Sequence, residues 1–329
     1  MASITAQGTR FRVQINIGGI RDSGTFETKP KARAWAAMRE TQLRTQGDTG
    51  IIAGKTVGEC FDRYGEFVSP TKKGCRWEVI RMNAIRKHVI GKATFGSILL
   101  ADLTPDMLGQ WRDSRLKEIK GSTFNRDMNL LSNIMATARD EWRWISESPT
   151  RKLKRPKDPA HRERRITDAE IAQMQVALMF NGEAPATASQ FVCVAFLFAL
   201  ETGMRAGEIC ALVPEWIAGA VVHLPASANK NGVKRDVPMT KRALELLALL
   251  PKDKLFSLNS SNLDALFRKA RNKTSIIGMT FHDTRHEAIT RLSSKIDVLA
   301  LAKMVGHTDI KMLLRYYNES AADVAARLG

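Results

Sequence analysis

Two adjacent tyrosines, Tyr316 and Tyr317, stand near the carboxyl end of a chain that contains only three tyrosines. His282, Arg285 and His307 precede them in the stretch 281–318. A phenol is a weak nucleophile near neutral pH, because a pKa of about 10 leaves roughly one molecule in a thousand ionised. Cations and hydrogen-bonding imidazoles can activate a phenol and direct it at an anion such as a phosphodiester. The residue types in this stretch therefore predict nucleophilic chemistry on phosphate.

A further candidate cation, Arg205, lies well upstream, two residues after Gly203, where the helix that contains the apolar run is predicted to end. A charge between a buried helix and an amphipathic one is costly unless it is paired, and Glu208 is three residues further on. The spacing predicts an ion pair between Arg205 and Glu208. Such a pair is by itself more often structural than catalytic.

Lys230 stands beside a second kind of signal, the Asn-Gly pair at 231–232. This pair is the strongest short hairpin signal, and it lies between β-like segments at 221–224 and 233–237. The pattern predicts a hairpin with Lys230 at the mouth of its turn. A lysine in a turn is usually only solvated, so the pattern alone does not assign it a function.

Metal and nucleotide chemistry find little support in the sequence. His282 and His286 have the i, i+4 spacing of a zinc pair on a helix, but Arg285 lies on the same face and would repel a cation. The second histidine of an HExxH motif is missing after Glu287. The chain also has no GxxxxGK[ST] phosphate loop and no clustered carboxylates for two-metal chemistry. We therefore expect neither a metal site nor a cofactor.

The composition indicates a polyanion-binding protein of two or three domains. The 329 residues include 51 Lys and Arg against 34 Asp and Glu, a formal net charge of +17. Such a charge attracts nucleic acid or an anionic membrane surface. The longest apolar run, Phe191–Leu200, is too short to span a bilayer, and the amino terminus lacks an apolar signal core. We expect a cytoplasmic protein without membrane contact. Its four cysteines have no CxxC spacing and are expected to be free thiols.

Residues 1–50 are predicted to form a separate β-sheet-plus-helix module. The segment 11–17 alternates strictly between apolar and polar residues, a Gly-Gly turn follows, and 20–26 can return as its partner strand. Thr28 is the expected N-cap of a helix through Gln46, with Trp35, Met38 and Leu43 on one face. The polar positions are rich in cations, among them Arg12, which could contact DNA or simply face solvent.

Residues 56–147 are predicted to form a four-helix module after a small-residue linker at 47–55. A capping box at Thr56 opens its first helix, and the second helical stretch carries Trp77, Ile80, Ile85 and Val89. Basic residues that could track a phosphate backbone are Lys72, Lys73 and Arg76.

The segment 148–165 is predicted to be an extended basic linker. Its run from Arg151 to Arg165 carries eight Lys and Arg, two acids and two prolines, which do not suit a core. It could act as a strap along DNA, or as a solvated hinge without contacts. The candidate DNA contacts here are Arg151, Lys152, Lys154 and Arg155.

Four segments of the sequence resemble the motifs of a known family. TGMRAGEICAL at 202–212 resembles the first arginine box of the tyrosine recombinases, or phage integrases, and FHDTRH at 281–286 resembles their HxxR box. VGHTDIKMLLRYY at 305–317 is similar to their GH box with its nucleophilic tyrosine, and NKNGVKRDVPM at 229–239 to the hairpin with their catalytic lysine. These segments occur in the family's order and at about its spacing.

The resemblance implies a fold and a domain order. The fold is mainly α with small β elements, an α+β class. An arm-type or accessory DNA-binding module (1–50) is followed by a helical core-site DNA-binding domain (56–147). The basic linker then leads to a mixed α/β catalytic domain (166–329).

The resemblance also implies roles for single residues. Tyr316, nine residues after His307, would attack the scissile phosphate and leave a 3′-phosphotyrosyl enzyme and a free 5′-hydroxyl. Arg205, Arg285 and His307 would bind the phosphate oxygens. The general acid, the general base and an orienting acid would be Lys230, His282 and Glu208, respectively.

Two of these assignments have alternatives. Lys234 could replace Lys230 if the hairpin register differs, and Tyr317 could in principle replace Tyr316. The spacing from His307 favours the first tyrosine.

The implied function is site-specific DNA recombination, as by an integrase of a phage or other mobile element. Double-stranded DNA with specific recombination sites would be the substrate. Four protomers would exchange strands through a Holliday junction, with DNA-bending or directionality proteins as possible accessories. The alternatives are a type IB topoisomerase and a basic DNA-binding regulator whose catalytic set is inert.

Overall fold

The structure of the protein is a computed structural model, and it describes residues 2–17, 20–49, 52, 54–159, 164–228 and 232–317. The chain divides into two compact units, residues 1–160 and 161–329. Helices dominate both units, and the sheets are small. The predicted class, mainly α with small β elements, is confirmed. None of the described helices is long and apolar enough to cross a bilayer.

A three-stranded antiparallel sheet and one long helix open the first unit. They are β1 (Ser3–Gln7), β2 (Arg10–Ile17), β3 (Ile20–Phe26) and α1 (Lys29–Thr49). β2, β3 and α1 occur where the sequence predicts them, although α1 continues into the predicted linker. β1 has no clear sequence signal, because Ile4 is its only half-buried residue and so no apolar alternation exists. The predicted turn at 18–19 lies outside the described residues.

The core of this module is smaller than the sequence predicts. Val13 and Ile15 of β2 pack against Ala32, Ala36 and Leu43 of α1. Met38, predicted on the same face, is instead 51% exposed. The reason is helical phase, since position 38 lies about 200° around the helix from position 36.

Four further α-helices lie in the described part of the first unit, where the sequence predicts four. They are α2 (Val57–Phe67), α3 (Cys75–Ile85), α4 (Pro105–Leu116) and α5 (Gly121–Asp140), with a two-stranded ribbon of β4 (Val89–Ile90) and β5 (Ala93–Thr94) after α3. Thr56 forms the predicted capping box with Glu59. Tyr64, the third tyrosine of the chain, is a buried core residue.

Two predicted core positions of α3 are wrong. Trp77 is 44% exposed and Ile80 is 55% exposed. The helix buries Ile85, as the pattern predicts, together with Met82, and Val89 lies in β4 rather than in the helix. An apolar residue on a short helix does not by itself reveal which face meets the core.

The basic linker is docked where the structure describes it. Arg112 Nη1 donates to the carbonyl of Lys154 at 2.9 Å, and Asn125 Nδ2 donates to that of Pro156 at 3.0 Å. Arg155 Nη2 donates to Ser132 Oγ at 3.0 Å. Extended backbone has no internal partners for its carbonyls, so α4 and α5 supply donors. A solvated hinge without contacts is therefore excluded for residues 153–158.

The second unit surrounds one helix that is buried along most of its length. Its helices are α6 (Asp168–Ala177), α7 (Ala188–Thr202), α8 (Ala206–Cys210), α9 (Lys241–Ala248), α10 (Ser260–Arg271), α11 (Asp283–Ser293), α12 (Val298–Val305) and α13 (Lys311–Leu314). α7 contacts α8, α9, α10 and α11. A helix that is apolar on all sides must be covered on all sides, which explains the uninterrupted run at 191–200.

A small antiparallel sheet lies beside these helices, in the order β6 (Ile217–Ala218), β7 (Val221–Leu224) and β8 (Arg235–Pro238). Leu224 pairs with Arg235, so residues 225–234 connect β7 and β8. The predicted strand start at 233 is therefore wrong, since β8 begins at Arg235. The predicted turn at 231–232 falls partly outside the described residues. Pro225 has no N–H and stops the ladder directly after Leu224.

Candidate active site

Arg205 lies at the junction between α7 and α8. Gly203 ends α7 in the left-handed conformation with a φ of 63°, and Arg205 then caps α8 in extended backbone. Its Nη1 lies 3.0 Å from Glu208 Oε1, and its backbone N–H donates to Glu208 Oε2 at 2.7 Å. The predicted pair of Arg205 and Glu208 is present. The Arg205 side chain keeps 23% of its surface exposed.

Glu208 has a second and stronger partner that sequence reasoning missed. Arg235 binds both carboxylate oxygens of Glu208 at 2.7 Å, and both side chains are buried. Burial would raise the pKa of Glu208, but the hydrogen bonds from Arg235 and from the backbone of Arg205 hold it below its usual value. The available signal was alternation, since Arg235 and the buried Val237 share one face of β8.

The guanidinium of Arg285 donates hydrogen bonds to two main-chain carbonyls. Its Nη1 donates to the oxygen of Gly203 at 2.6 Å, and its Nη2 donates to that of Val305 at 2.5 Å. Both oxygens lie at helix carboxyl ends, where the dipole is negative and favours a cation. Burial, together with the charges of Arg205 and Arg235, lowers the pKa of Arg285 to about 9. The guanidinium remains charged near neutral pH.

The two predicted histidines occupy different environments. His282 is exposed at the start of α11 and lines a cleft of about 130 Å³ together with Arg205 and Arg285. His307 follows Gly306, which ends α12 in the left-handed conformation. Burial, and then the charges of Arg285 and Arg205, lower the pKa of His307 to about 4. His307 is therefore a neutral imidazole near pH 7.

The adjacent tyrosines have different partners. Arg315 Nη2 donates to Tyr316 Oη at 2.8 Å, and the Tyr316 ring meets the edge of His286 with centroids 5.1 Å apart. Tyr317 Oη instead donates to the carbonyl of Ile296 at 2.8 Å. His286 and Arg315 were not predicted as site residues, although each directly adjoins one in the sequence.

Of the two candidate lysines, the structure describes only Lys234. Lys230 lies outside the described residues. Lys234 is exposed, one residue before β8. The described residues therefore contain the two predicted arginines, both histidines, Glu208 and Tyr316 within the second unit, without the predicted general acid.

The eight cations predicted to bind DNA belong to the first unit, and they fall into two groups. Lys72 donates to Tyr64 Oη at 2.5 Å and pairs with Glu78, Lys152 lies 3.7 Å from Glu147, and Arg155 binds the α5 surface. The remaining five are exposed: Arg12, Lys73, Arg76, Arg151 and Lys154.

The second unit thus contains an anion-attracting cluster. The guanidinium groups of Arg205 and Arg235 share the carboxylate of Glu208, and the buried guanidinium of Arg285 lies close enough to feel the charges of all three. A site with more fixed cations than anions, in a partly dry cleft, favours an oxyanion. In the part of the chain that the structure describes, no group of three His, Cys, Asp or Glu side chains could hold a metal ion.

Sulfate is expected to stabilise the protein by binding this cluster. At ten times its dissociation constant, a ligand specific for the folded state adds about 1.4 kcal/mol to the free energy of unfolding. Denaturant unfolding with sodium sulfate, against sodium chloride of equal ionic strength, measures the effect. Sulfate also strengthens apolar burial in any protein. The specific part should therefore disappear in Arg205→Gln, and an equal gain in parent and variant would contradict binding at the cluster.

Acid is expected to destabilise the protein through His307. Its folded pKa of about 4 lies below the ordinary 6.5, so the unfolded chain binds this proton more tightly. The resulting loss begins as the pH falls through 6.5 and is complete near 4. His307→Gln should lose less free energy of unfolding than the parent between pH 7 and pH 5. The pKa of His286 is lowered too, mainly by burial, so the variant keeps part of the effect. Equal losses in both proteins would show that His307 titrates normally.

Known proteins resemble the chain in both sequence and fold. The model of the phage integrase family matches residues 169–323. A Haemophilus influenzae protein named "Putative integrase/recombinase" is 35% identical over 330 residues, which cover 96% of this chain and 87% of that protein. A shufflon-specific DNA recombinase of Escherichia coli is 32% identical, over 83% of this chain and 71% of its own length.

A solved structure extends the likeness to the fold. The crystal structure of a lambda integrase tetramer bound to a Holliday junction has a TM-score of 0.65 to this chain, at 17% identity. The match covers 93% of this chain and 95% of that one. At this level of identity the likeness concerns the fold alone.

Proposed function

The chain belongs to the phage integrase family of tyrosine recombinases, and we propose that it cuts and rejoins duplex DNA at specific sites with Tyr316 as nucleophile. The observation that carries the proposal is the arginine cluster. Arg205 and Arg285 line one cleft with His282, and the ring of Tyr316 packs against His286, the neighbour of Arg285.

The scissile phosphate would bind between Arg205 and Arg285. Guanidinium suits this task because its planar fork matches two phosphate oxygens. Arg285 is already fixed by two carbonyls, so little order is lost when it meets the phosphate. His307, neutral at working pH, can donate a hydrogen bond to a non-bridging oxygen without adding charge.

The chemical step would transfer the phosphoryl group from DNA to Tyr316. The Oη atom forms a bond to phosphorus while the bond to the 5′-oxygen breaks, and this leaves a 3′-phosphotyrosine. His282 would accept the phenolic proton, and Lys230 would protonate the departing 5′-oxygen. The energy of the phosphodiester is kept in the phosphotyrosine. A 5′-hydroxyl from another strand can therefore reverse the reaction without a nucleotide.

Tyr316 is favoured over Tyr317 by its hydrogen bonds as well as by its spacing. The Tyr317 hydroxyl already gives its proton to the carbonyl of Ile296. The Tyr316 hydroxyl accepts a hydrogen bond from Arg315, which leaves its own proton available to a base. A cationic donor also stabilises the phenolate that develops during attack.

Duplex DNA would be held by both units, and strand exchange would require an assembly. The exposed cations of the first unit, such as Lys73 and Arg76, can neutralise backbone phosphates. The lambda integrase structure shows four protomers on a Holliday junction. We infer the same stoichiometry here, with specific recombination sites and, as a further expectation, accessory proteins that bend DNA or set direction.

A nicked duplex tests the proposed function. The probe carries a candidate site from the repeats that flank the gene, with a nick close to the scissile phosphate. The short fragment with the 5′-hydroxyl then diffuses away, and the phosphotyrosyl complex is trapped on a denaturing gel. No covalent complex on any flanking repeat would favour an inert DNA-binding regulator. Relaxation of supercoiled DNA that lacks such repeats would favour a topoisomerase.

A further inference from the structure

Arg235 occupies the centre of the arginine cluster without lining its cleft. It is 7% exposed, and its guanidinium uses all three of its nitrogen atoms. Nη1 and Nη2 bind the two oxygens of Glu208 at 2.7 Å each, and Nε donates to the carbonyl of Met304 at 3.0 Å. One side chain of β8 thus joins α8, which follows Arg205, to the end of α12, which precedes His307.

The bonds to Glu208 determine how much of Arg205 is available. Oε1 of Glu208 accepts from Arg235 and from Nη1 of Arg205, while Oε2 accepts from Arg235 and from the backbone of Arg205. The carboxylate is therefore saturated. Arg205 spends only one of its five N–H groups on Glu208, and that bond, at 3.0 Å, is longer than those of Arg235.

Without Arg235 the same carboxylate would have a different preferred geometry. Arginine and carboxylate favour two parallel hydrogen bonds, and a buried carboxylate with only one cation nearby would bind it in this way. Glu208 would then cover the edge of Arg205 that faces the cleft and neutralise its charge. A phosphate would have to compete with an internal anion.

The bond to Met304 fixes the other side of the cluster. Gly306 has a φ of 69°, and a Cβ atom at this position would lie 3.0 Å from Cδ of Arg235. The turn that carries His307 is therefore packed directly on the Arg235 side chain. A change in Arg235 is expected to shift both the charge of Arg205 and the position of His307.

We propose that Arg235 is a positioning residue that holds Glu208 away from the phosphate-binding edge of Arg205. The consequence for cleavage rests on the proposed function, whereas the effect on Arg205 does not. A lysine cannot substitute fully, because an ammonium cannot bind both carboxylate oxygens and the Met304 carbonyl in one plane.

The test compares Arg235→Gln with the double variant that also carries Glu208→Gln. In Arg235→Gln, single-turnover formation of the covalent complex on the nicked duplex should fall about 10²-fold, as for loss of one phosphate contact. Removing the anion as well should restore at least a tenth of the parental rate, since Arg205 is again uncovered. A purely structural role predicts the opposite, because a second lesion in the same network would not accelerate the reaction.

A second readout needs no DNA. Phenylglyoxal modifies accessible guanidinium groups, and peptide mass spectrometry reports the rate at Arg205. This rate should drop several-fold in Arg235→Gln and recover in the double variant. Arg242→Gln is the matched control, since it removes an exposed pair with Glu245 on α9 and should change neither readout. Unfolding midpoints, measured for each protein, set a temperature at which all are folded.

The two readouts distinguish the possible failures. If Arg205 reacts equally fast in the parent and in Arg235→Gln, or if the double variant cleaves no faster than the single one, the proposal is wrong. If the parent forms no covalent complex while the reactivity of Arg205 changes as expected, the proposed function fails and the placement of Arg235 stands.

Discussion

Replacing Tyr316 with phenylalanine is expected to abolish the covalent complex with DNA altogether. The reaction needs the Oη atom as nucleophile, and the hydroxyl of the neighbouring Tyr317 is bound to the carbonyl of Ile296. Yield on the nicked duplex should drop below detection. DNA affinity should remain close to the parental value, because the exposed cations of the first unit are unchanged.

The fold should tolerate this substitution. The phenyl ring keeps its edge contact with His286, and only the hydrogen bond from Arg315 is lost. Such a bond contributes about 1 kcal/mol to the free energy of unfolding. A loss of activity with this small change in stability would separate chemistry from folding.

Tyr317→Phe is the matched control. It removes the hydrogen bond to Ile296, at a similar cost of about 1 kcal/mol, and should still form the covalent complex. If Tyr316→Phe formed the complex at parental yield and Tyr317→Phe did not, the nucleophile would be the second tyrosine. The hydrogen bonds of the two phenols would then rearrange when DNA binds.

Arg205→Gln is expected to slow cleavage by about 10²–10³-fold, the usual effect of removing one donor that binds charge in the transition state. The measurement is the single-turnover rate of covalent complex formation at saturating DNA. Saturation matters because the variant also loses a charge and so binds DNA less tightly.

The stability of Arg205→Gln should change little. Glu208 retains both bonds to Arg235 and the bond to the backbone of residue 205, so no buried charge is left unpaired. Only the arginine of the lost ion pair is partly exposed, and the pair contributes one hydrogen bond to the buried carboxylate, a loss of about 1.5 kcal/mol. A fall in rate of less than tenfold would mean that Arg205 has a structural role in the ion pair with Glu208 and does not bind the phosphate.

Local chemistry made several elements predictable. Thr56 and Thr167 each precede an acid at the third helical position, and both form capping boxes. Gly203 ends the apolar helix in the left-handed conformation that glycine allows. In each case the signal and the structure it specifies lie within four residues of one another.

The geometry of the site was less predictable, because it depends on contacts between residues that are far apart in the sequence. Nothing near Arg235 in the sequence indicates that it would meet Glu208, 27 positions away. The predicted start of its strand was wrong as well, since the strand begins at Arg235 and not at 233. The motifs predicted which residue types belong to the site, but not the partner that leaves Arg205 available. The roles assigned to Arg205, His282 and Tyr316 remain predictions until the variants are measured.

The binding of Arg285 by main-chain carbonyls determines which substitutions should inactivate the protein. Its partners are main-chain oxygens, so a new side chain at Val305 does not remove them. The directions of those carbonyls depend instead on the left-handed glycines at 203 and 306, where any Cβ costs about 1–2 kcal/mol of backbone strain. Inactivating substitutions should therefore gather at two positions that carry no reactive atom. The position of Arg285 therefore depends on two glycines, which have no side chain of their own.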